Sequence, residues 1–306
     1  MPPRLIAIDM DGTLLDSSGH VSERNRAALT MAAATGAEIV VATGRRHCYA
    51  MQVLRPLGLD PTHALVSSNG TVVRTIGNQL LHRTHLKLET ARWLCEYLGH
   101  FRSTFVLTFD RVGPTGEDER GALVCEQIED LHASIGLWMK SNERYIQQYH
   151  RIEDALLGDA PIQAMLCGPV DRMTAAESHL IRDPRVTPVG AAEQPNALIA
   201  LHRTIYPDRD LAIVDILPAG CSKASALRHL VQLRGLSMDD VMAIGDNWND
   251  VPMLRSAGHA ALMANAPAEL HALAALEGWE IVPSNDHDGV ALAIEMAMDS
   301  VLASVS

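Results

Sequence analysis

Aromatic side chains are scarce, with Phe, Trp and Tyr together making up 4% of the 306 residues. Leu, Ala, Val, Ile and Met must therefore fill the core, and an apolar content of 47% supplies them. Positive charge is also short. A net charge of −12 leaves no general surface for nucleic acid or an anionic membrane, so neither is expected as a partner. A phosphate group would have to be met by a local positive centre. No run approaches the about 18 apolar residues of a membrane span. The stretch Met1–Ile8 is too short for a signal peptide's apolar part and is cut off by Asp9 and Asp11. The five cysteines (Cys48, Cys95, Cys125, Cys167, Cys221) are odd in number, scattered and form no Cys-x-x-Cys pair. They are expected as reduced, mostly buried thiols of a cytoplasmic protein. Nucleotide-binding fingerprints, low-complexity segments and internal repeats are absent.

Against these absences stands Leu5-Ile6-Ala7-Ile8-Asp9-Met10-Asp11-Gly12-Thr13. An apolar run of strand length stops at two carboxylates one residue apart. Such a strand places both acids at the carboxyl edge of a sheet, where open α/β folds bind ligands. Acids so close repel each other, and Mg²⁺, a hard cation taking oxygen ligands, is the natural ion to sit between them. A calcium loop starting at Asp9 fails, because its glycine and glutamate positions hold Leu14 and His20. A surface turn remains the plain alternative for the pair taken alone.

The first 80 or so residues alternate in type. Leu5–Asp9, Ala37–Ala42 and Ala64–Ser67 read as strands, and Ser22 to Thr35 and Arg45–Leu57 as helices. The last 85 or so behave likewise. Helices are expected at Ser222–Arg234, Asp250–Ala257, Pro267–Leu276 and Asp288–Met298, and strands at Asp240–Gly245, Ala260–Met263 and Glu280–Val282. The pattern predicts a Rossmann-like α/β core, a parallel sheet with helices on both faces. Between them the apolar runs Phe105–Phe109, Ile162–Cys167, Ala197–Leu201 and Leu211–Ile216 alternate with helical candidates Glu89–Leu98 and Asp171–Leu180. A loop-like turn falls at Tyr206-Pro-Asp-Arg. The expected organisation is a core from 1–82 and 217–306, with an α+β cap domain, 83–216, inserted and free to hinge on its two crossings.

The expected strand ends carry further polar groups. Thr43-Gly44 follows Ala42 and offers a hydroxyl and an amide to a phosphate oxygen, or simply a turn before a helix. Lys223 lies at a helix start, where a positive charge is mildly unfavourable. Gly245-Asp246-Asn247-Trp248-Asn249-Asp250 groups acids, amides and a Trp at a strand end, with Asp250 also readable as a helix cap. His82 and His85 have the spacing of one helix face, but no helix is expected there and a metal site is disfavoured. Arg45, Asn69 and Trp248 are candidates for substrate contact, and Arg46 reads as a surface residue.

Together DMDGT at 9–13, ATGR at 42–45, Lys223 in GCSKASAL and GDNWND at 245–250 resemble, in order, the four motifs of the haloacid dehalogenase (HAD) superfamily. The insert after the second motif resembles the Cof-like branch. SNG at 68–70, ML at 253–254, AG at 257–258, NA at 265–266 and DGVA at 288–291 agree. The resemblance implies a phosphatase of small phosphorylated metabolites. It implies Asp9 as nucleophile forming an aspartyl phosphate, and Asp11 as the acid that protonates the leaving oxygen and then activates water. It implies Mg²⁺ on the Asp9 carboxylate, the Asp11 carbonyl and Asp246. The phosphoryl oxygens would be held by the Met10 amide, Thr43, Gly44, Lys223 and Asn249, with Asp250 orienting Lys223 or a metal-bound water. A phosphomutase and a non-catalytic phosphometabolite-binding protein are the alternatives. A monomer or small homo-oligomer is expected.

Overall fold

The apolar run at the start forms β1 (Leu5–Asp9), which is buried along its whole length. A strand without a polar face needs cover on both sides, as a helix-flanked parallel sheet provides. The computed structural model describes residues 2–126, 136–192, 194–206 and 209–302. After β1 come α1 (Glu23–Ala34), β2 (Glu38–Ala42), α2 (His47–Leu54), β3 (Ala64–Ser67), β4 (Val72–Thr75) and β5 (Leu80–Arg83). The chain then builds α3 (Leu88–Tyr97), β6 (Phe105–Thr108), β7 (Leu123–Cys125), α4 (Gly136–Asn142) and β8 (Ile146–Gln148). β9 (Gln163–Gly168), α5 (Val170–Leu180), β10 (Val186–Thr187), β11 (Ile199–Tyr206) and β12 (Leu211–Pro218) follow. The last stretch holds α6 (Lys223–Leu233), β13 (Val241–Gly245), α7 (Val251–Ser256), β14 (His259–Met263), α8 (Ala268–Glu277), β15 (Glu280–Val282) and α9 (Gly289–Leu302).

Two compact units result, one made of the residues up to His82 and from Ser222 on, the other of Arg83–Cys221. The second crossing therefore lies later than the expected 216/217. The cause is β12, which pairs with β11 as far as Pro218 against Ile199 and keeps its whole length in the inserted unit.

In the first unit the strand order is β15-β14-β13-β1-β2-β3-β4-β5. β15 through β3 run parallel. Chain order leaves β1 in opposite directions, toward β2 on one side and β13 on the other. This is a topological switch point, whose carboxyl edge opens a crevice for ligands. Alternate residues of each strand serve opposite faces. Ile6, Ile8, Ile39, Val41 and Ile244 pack with α1, α2 and α9. Leu5, Ala7, Val40, Ala42 and Ala243 pack with α6, α7 and α8. β4 departs from the expected parallel sheet, running antiparallel to β3 with Ser67 opposite Val72. Ser68, Asn69 and Gly70 turn the chain with φ of 49°, 52° and 99°.

The inserted unit has the order β10-β11-β12-β9-β6-β7-β8, mostly antiparallel. α3 and α5 cover one face through Leu94, Met173 and Leu180, and Met139 of α4 packs on the other beside Val106 and Cys167. Helices packed on a mostly antiparallel sheet give the expected α+β arrangement. Of the turn at Tyr206, Pro207 and Asp208 lie outside the described residues. All five cysteines are buried, and none forms a disulfide. Among the described residues no helix is long and apolar enough to cross a membrane.

Candidate active site

Every polar group picked out at a strand end of the first unit falls at one sheet edge. Asp9 ends β1, Thr43 follows β2, Ser68 follows β3 and Asp246 follows β13. Lys223 reaches the same edge from the first turn of α6. Ser222 caps that helix in a reciprocal capping box with Ser225, which fixes where the lysine starts.

Lys223 is 1% exposed, and its ammonium donates to Asp9 Oδ1 and, at 2.7 Å, to Asp250 Oδ1. Burial alone would lower the lysine pKa, but the charges of Asp250 and Asp9 more than reverse this and hold it protonated. Asp250, fully buried, uses its other oxygen to accept the N–H groups of Asp246 and Asn247, both at 3.1 Å. Each Asp250 oxygen is thus committed to a protein donor. Its place is that of a support for Lys223 and for the loop that carries Asp246.

The oxygens of Asp9, Asp246 and Asp250 lie within 4.8 Å of one another and are buried. Three carboxylates thus face one ammonium. Burial, then the Asp250 charge, pushes Asp9 well above the usual carboxylate range, and Lys223 only partly offsets this. The same two causes push Asp246 up to about 6. Such a cluster lacks positive charge, and its all-oxygen donor set fits a hard divalent cation such as Mg²⁺. The backbone is shaped for it as well. A Cβ on Gly12, where φ is +83°, would lie 2.5 Å from Asp246 Oδ2, so only glycine lets the chain pass so close.

Thr43 is buried, its N–H held by the Val66 carbonyl at 2.8 Å and its Oγ1 accepting the Arg45 N–H at 3.1 Å. Gly44 is exposed, and a Cβ there would meet the Asn69 amide at 3.2 Å. Asn249 Nδ2 lies 3.5 Å from Asn69 Oδ1, which gathers both amides beside the Thr43-Gly44 turn. The Met10 side chain is buried in the core. Trp248 is exposed at 41%. Asp11 is exposed and forms an ion pair with Arg45. The His82 ring lies tilted against that of His229 of α6, with ring centroids 4.2 Å apart.

Two contributors were missed in the sequence. Buried Thr13 donates to Asp246 Oδ1 at 2.7 Å, and Asn265 Nδ2 donates to the Gly12 carbonyl at 2.8 Å. Thr13 directly follows the paired acids, and Asn265 lies just past a strand end, so both had the placement that marked the others. What the sequence did not give was a partner for either side chain.

A doubly wound sheet with this acidic edge defines a class, and residues 6–294 match the model of the haloacid dehalogenase-like hydrolases. The chain belongs to that family. It is 27% identical, over 98% of its length and 100% of the relative's, to the 5-amino-6-(5-phospho-D-ribitylamino)uracil phosphatase YwtE of Bacillus subtilis (strain 168). It is 29% identical to the HMP-PP phosphatase of Shigella boydii serotype 4 (strain Sb227), over 88% of this chain and 91% of that one. A haloacid dehalogenase-like hydrolase from Bacteroides thetaiotaomicron shares the fold, with a TM-score of 0.72 at 24% identity, over 96% and 99% of the two chains. The family makes the chain a hydrolase, and both of these curated relatives are named as phosphatases.

Proposed function

We propose that this protein is a Mg²⁺-dependent phosphatase of small phosphorylated metabolites that works through an aspartyl phosphate on Asp9. The observation that carries the reading is the buried Asp9 carboxylate at the switch point, held by Lys223 beside Asp246. The curated relatives, named as phosphatases of a phosphoribitylaminouracil and of HMP-PP, support small phosphorylated metabolites as substrates. The buried thiols support the cytoplasm as its compartment.

Phosphoryl transfer needs an in-line nucleophile, neutralised charge and a proton for the leaving group. Asp9, fixed by Lys223, supplies the attacking oxygen. The Met10 and Gly44 amides, Thr43, Lys223 and Asn249 hold the transferring oxygens. Asp11 gives a proton to the leaving oxygen and then takes one from the attacking water. Asp9, Asp246 and the Asp11 carbonyl would hold Mg²⁺, which when bound neutralises carboxylate and phosphate charge.

The test is Asp9→Asn, nearly isosteric, assayed for phosphate release over a panel of phosphorylated metabolites. Loss of activity on the order of a thousandfold or more, with thermal unfolding still cooperative, is the expected outcome. EDTA should stop the wild type, and Mg²⁺ or Mn²⁺ should restore it. Near-normal turnover by the variant, or full activity in metal-free protein, would sink the mechanism.

A further inference from the structure

Arg45 was a candidate for substrate contact, yet its guanidinium is engaged within the site. Nε donates to Asp11 Oδ2 at 2.9 Å and Nη2 to Asp11 Oδ1 at 2.5 Å, a two-point, fork-to-fork pair. The fork is fixed from several sides. The Arg45 N–H is held by Thr43 Oγ1, and its carbonyl accepts the Ser68 N–H at 2.8 Å. Its guanidinium carbon lies 5.0 Å from the centroid of the Tyr49 ring, one turn into α2. The Asp11 side chain is 53% exposed. A pair this open to water adds little to stability, so stability does not account for its geometry.

Both Asp11 oxygens accept from Arg45, the two-point geometry in which a guanidinium meets an ionised carboxylate. It is the form that exists after the leaving oxygen has taken the proton. We propose that Arg45 is a positioning residue for the second half of the reaction, holding the Asp11 carboxylate toward the water that hydrolyses the aspartyl phosphate. This inference rests on the phosphatase reading above. In that step the water oxygen bonds to phosphorus and the bond from phosphorus to the Asp9 oxygen breaks. The water proton passes to Asp11, Asp9 leaves as a carboxylate and phosphate departs. Each Asp11 oxygen keeps a further lone pair for that proton. Protonation removes the carboxylate's charge, so its pair with Arg45 weakens as the proton arrives. Asp11 then carries the proton to the next leaving oxygen, and no other reactant is needed.

The test compares wild type, Arg45→Lys and Arg45→Ala on p-nitrophenyl phosphate with Mg²⁺, by rapid mixing and in steady state. kcat/KM reports steps through formation of the aspartyl phosphate, and kcat also includes its hydrolysis. Both variants should lose roughly 10- to 100-fold in kcat while kcat/KM stays within about threefold. Each should release a nitrophenolate burst approaching one per active site, and guanidinium ion should restore part of kcat to Arg45→Ala. Arg45→Lys keeps the charge and the aliphatic stem, so it answers the question if the alanine variant does not fold. Equal falls in kcat and kcat/KM, a raised KM with kcat unchanged, or no effect would each overturn the proposal. A wild type that releases no phosphate would instead remove the phosphatase reading, and this inference with it.

Discussion

Lys223 and Asp246 show how one buried cluster sets the state of each of its members. The lysine is kept charged by two carboxylates, while Asp246 is pushed up to about 6 by burial and by Asp250. The sign of the stability effect follows. Folded Asp246 holds its proton more tightly than the unfolded chain, whose carboxyl titrates near 3.8. Its contribution to stability is therefore greatest below that value and is lost as pH rises through about 6. Mg²⁺ at the proposed site would bind the ionised form, so its affinity should rise over the same window, and Asp9, shifted upward as well, extends the rise. We expect chelator-treated wild type to lose melting temperature relative to Asp246→Asn between pH 4.5 and 7. Added Mg²⁺ should stabilise the wild type more at pH 7.5 than at pH 5. A wild-type-to-variant difference that is flat with pH would contradict the assignment.

At the scale of elements, the sheet's carboxyl edge depends on the turn Ser68-Asn69-Gly70. Asn69 N–H bonds the Thr43 carbonyl at 3.0 Å, and Gly70 packs on the start of α6. A Cβ at Gly70, where φ is +99°, would fall 2.2 Å from the Ser222 carbonyl oxygen. Gly70→Ala should therefore cost about 2–4 kcal/mol in urea unfolding, by strain and by displacing the helix start. It should also lower kcat, since Lys223 is the next residue. An alanine variant of wild-type stability would show that the helix start yields. This turn also marks where the sequence stopped being legible. β1, β2 and β3 were readable because burial on both faces demands unbroken apolar runs, and α1 and α6 because Ser22 and Ser222 cap them. β4 is not evident from a four-residue stretch, although Asn69-Gly70 before Val72-Val73 is a hairpin signal. β7, β8 and β10 are too short to show a period, and partners across the sheet supply what their sequence lacks. The carboxylates and the lysine at the site were legible from their place at strand and helix ends. The Arg45–Asp11 and Thr13–Asp246 pairs were not, because distances between strand ends are a property of the twisted sheet.

At the scale of the molecule, each unit has its own sheet and its own hydrophobic core, joined by two crossings of the chain. Every residue assigned above to phosphoryl binding, metal binding or proton transfer belongs to the first unit. Those residues act on the phosphoryl group, which all phosphomonoesters share, so they give rate without telling one substrate from another. Discrimination has to come from groups that differ in their interaction with the leaving portion. In the first unit few residues remain for that task, chiefly Asn69 and Trp248, and Asn69 is buried at 3% exposure. Substrate choice is therefore expected to follow the inserted unit when it is exchanged. Exchange of Arg83–Cys221 for the corresponding unit of a relative with another preference should move the ranking of substrates with the insert. The Mg²⁺ requirement and the effect of Asp9→Asn should stay unchanged. Both joins fall at the compact-unit boundary, one at the last residue of β5 and the other just before α6, so each hydrophobic core stays whole in the chimera. By contrast, Trp248→Ala should alter KM by less than about tenfold for all substrates and keep their order. The measurement is kcat/KM across one panel of phosphorylated metabolites for the parent, the chimera and the point variant. A chimera that keeps the parental ranking would place specificity in the first unit, with Trp248 and Asn69 the first residues to re-examine.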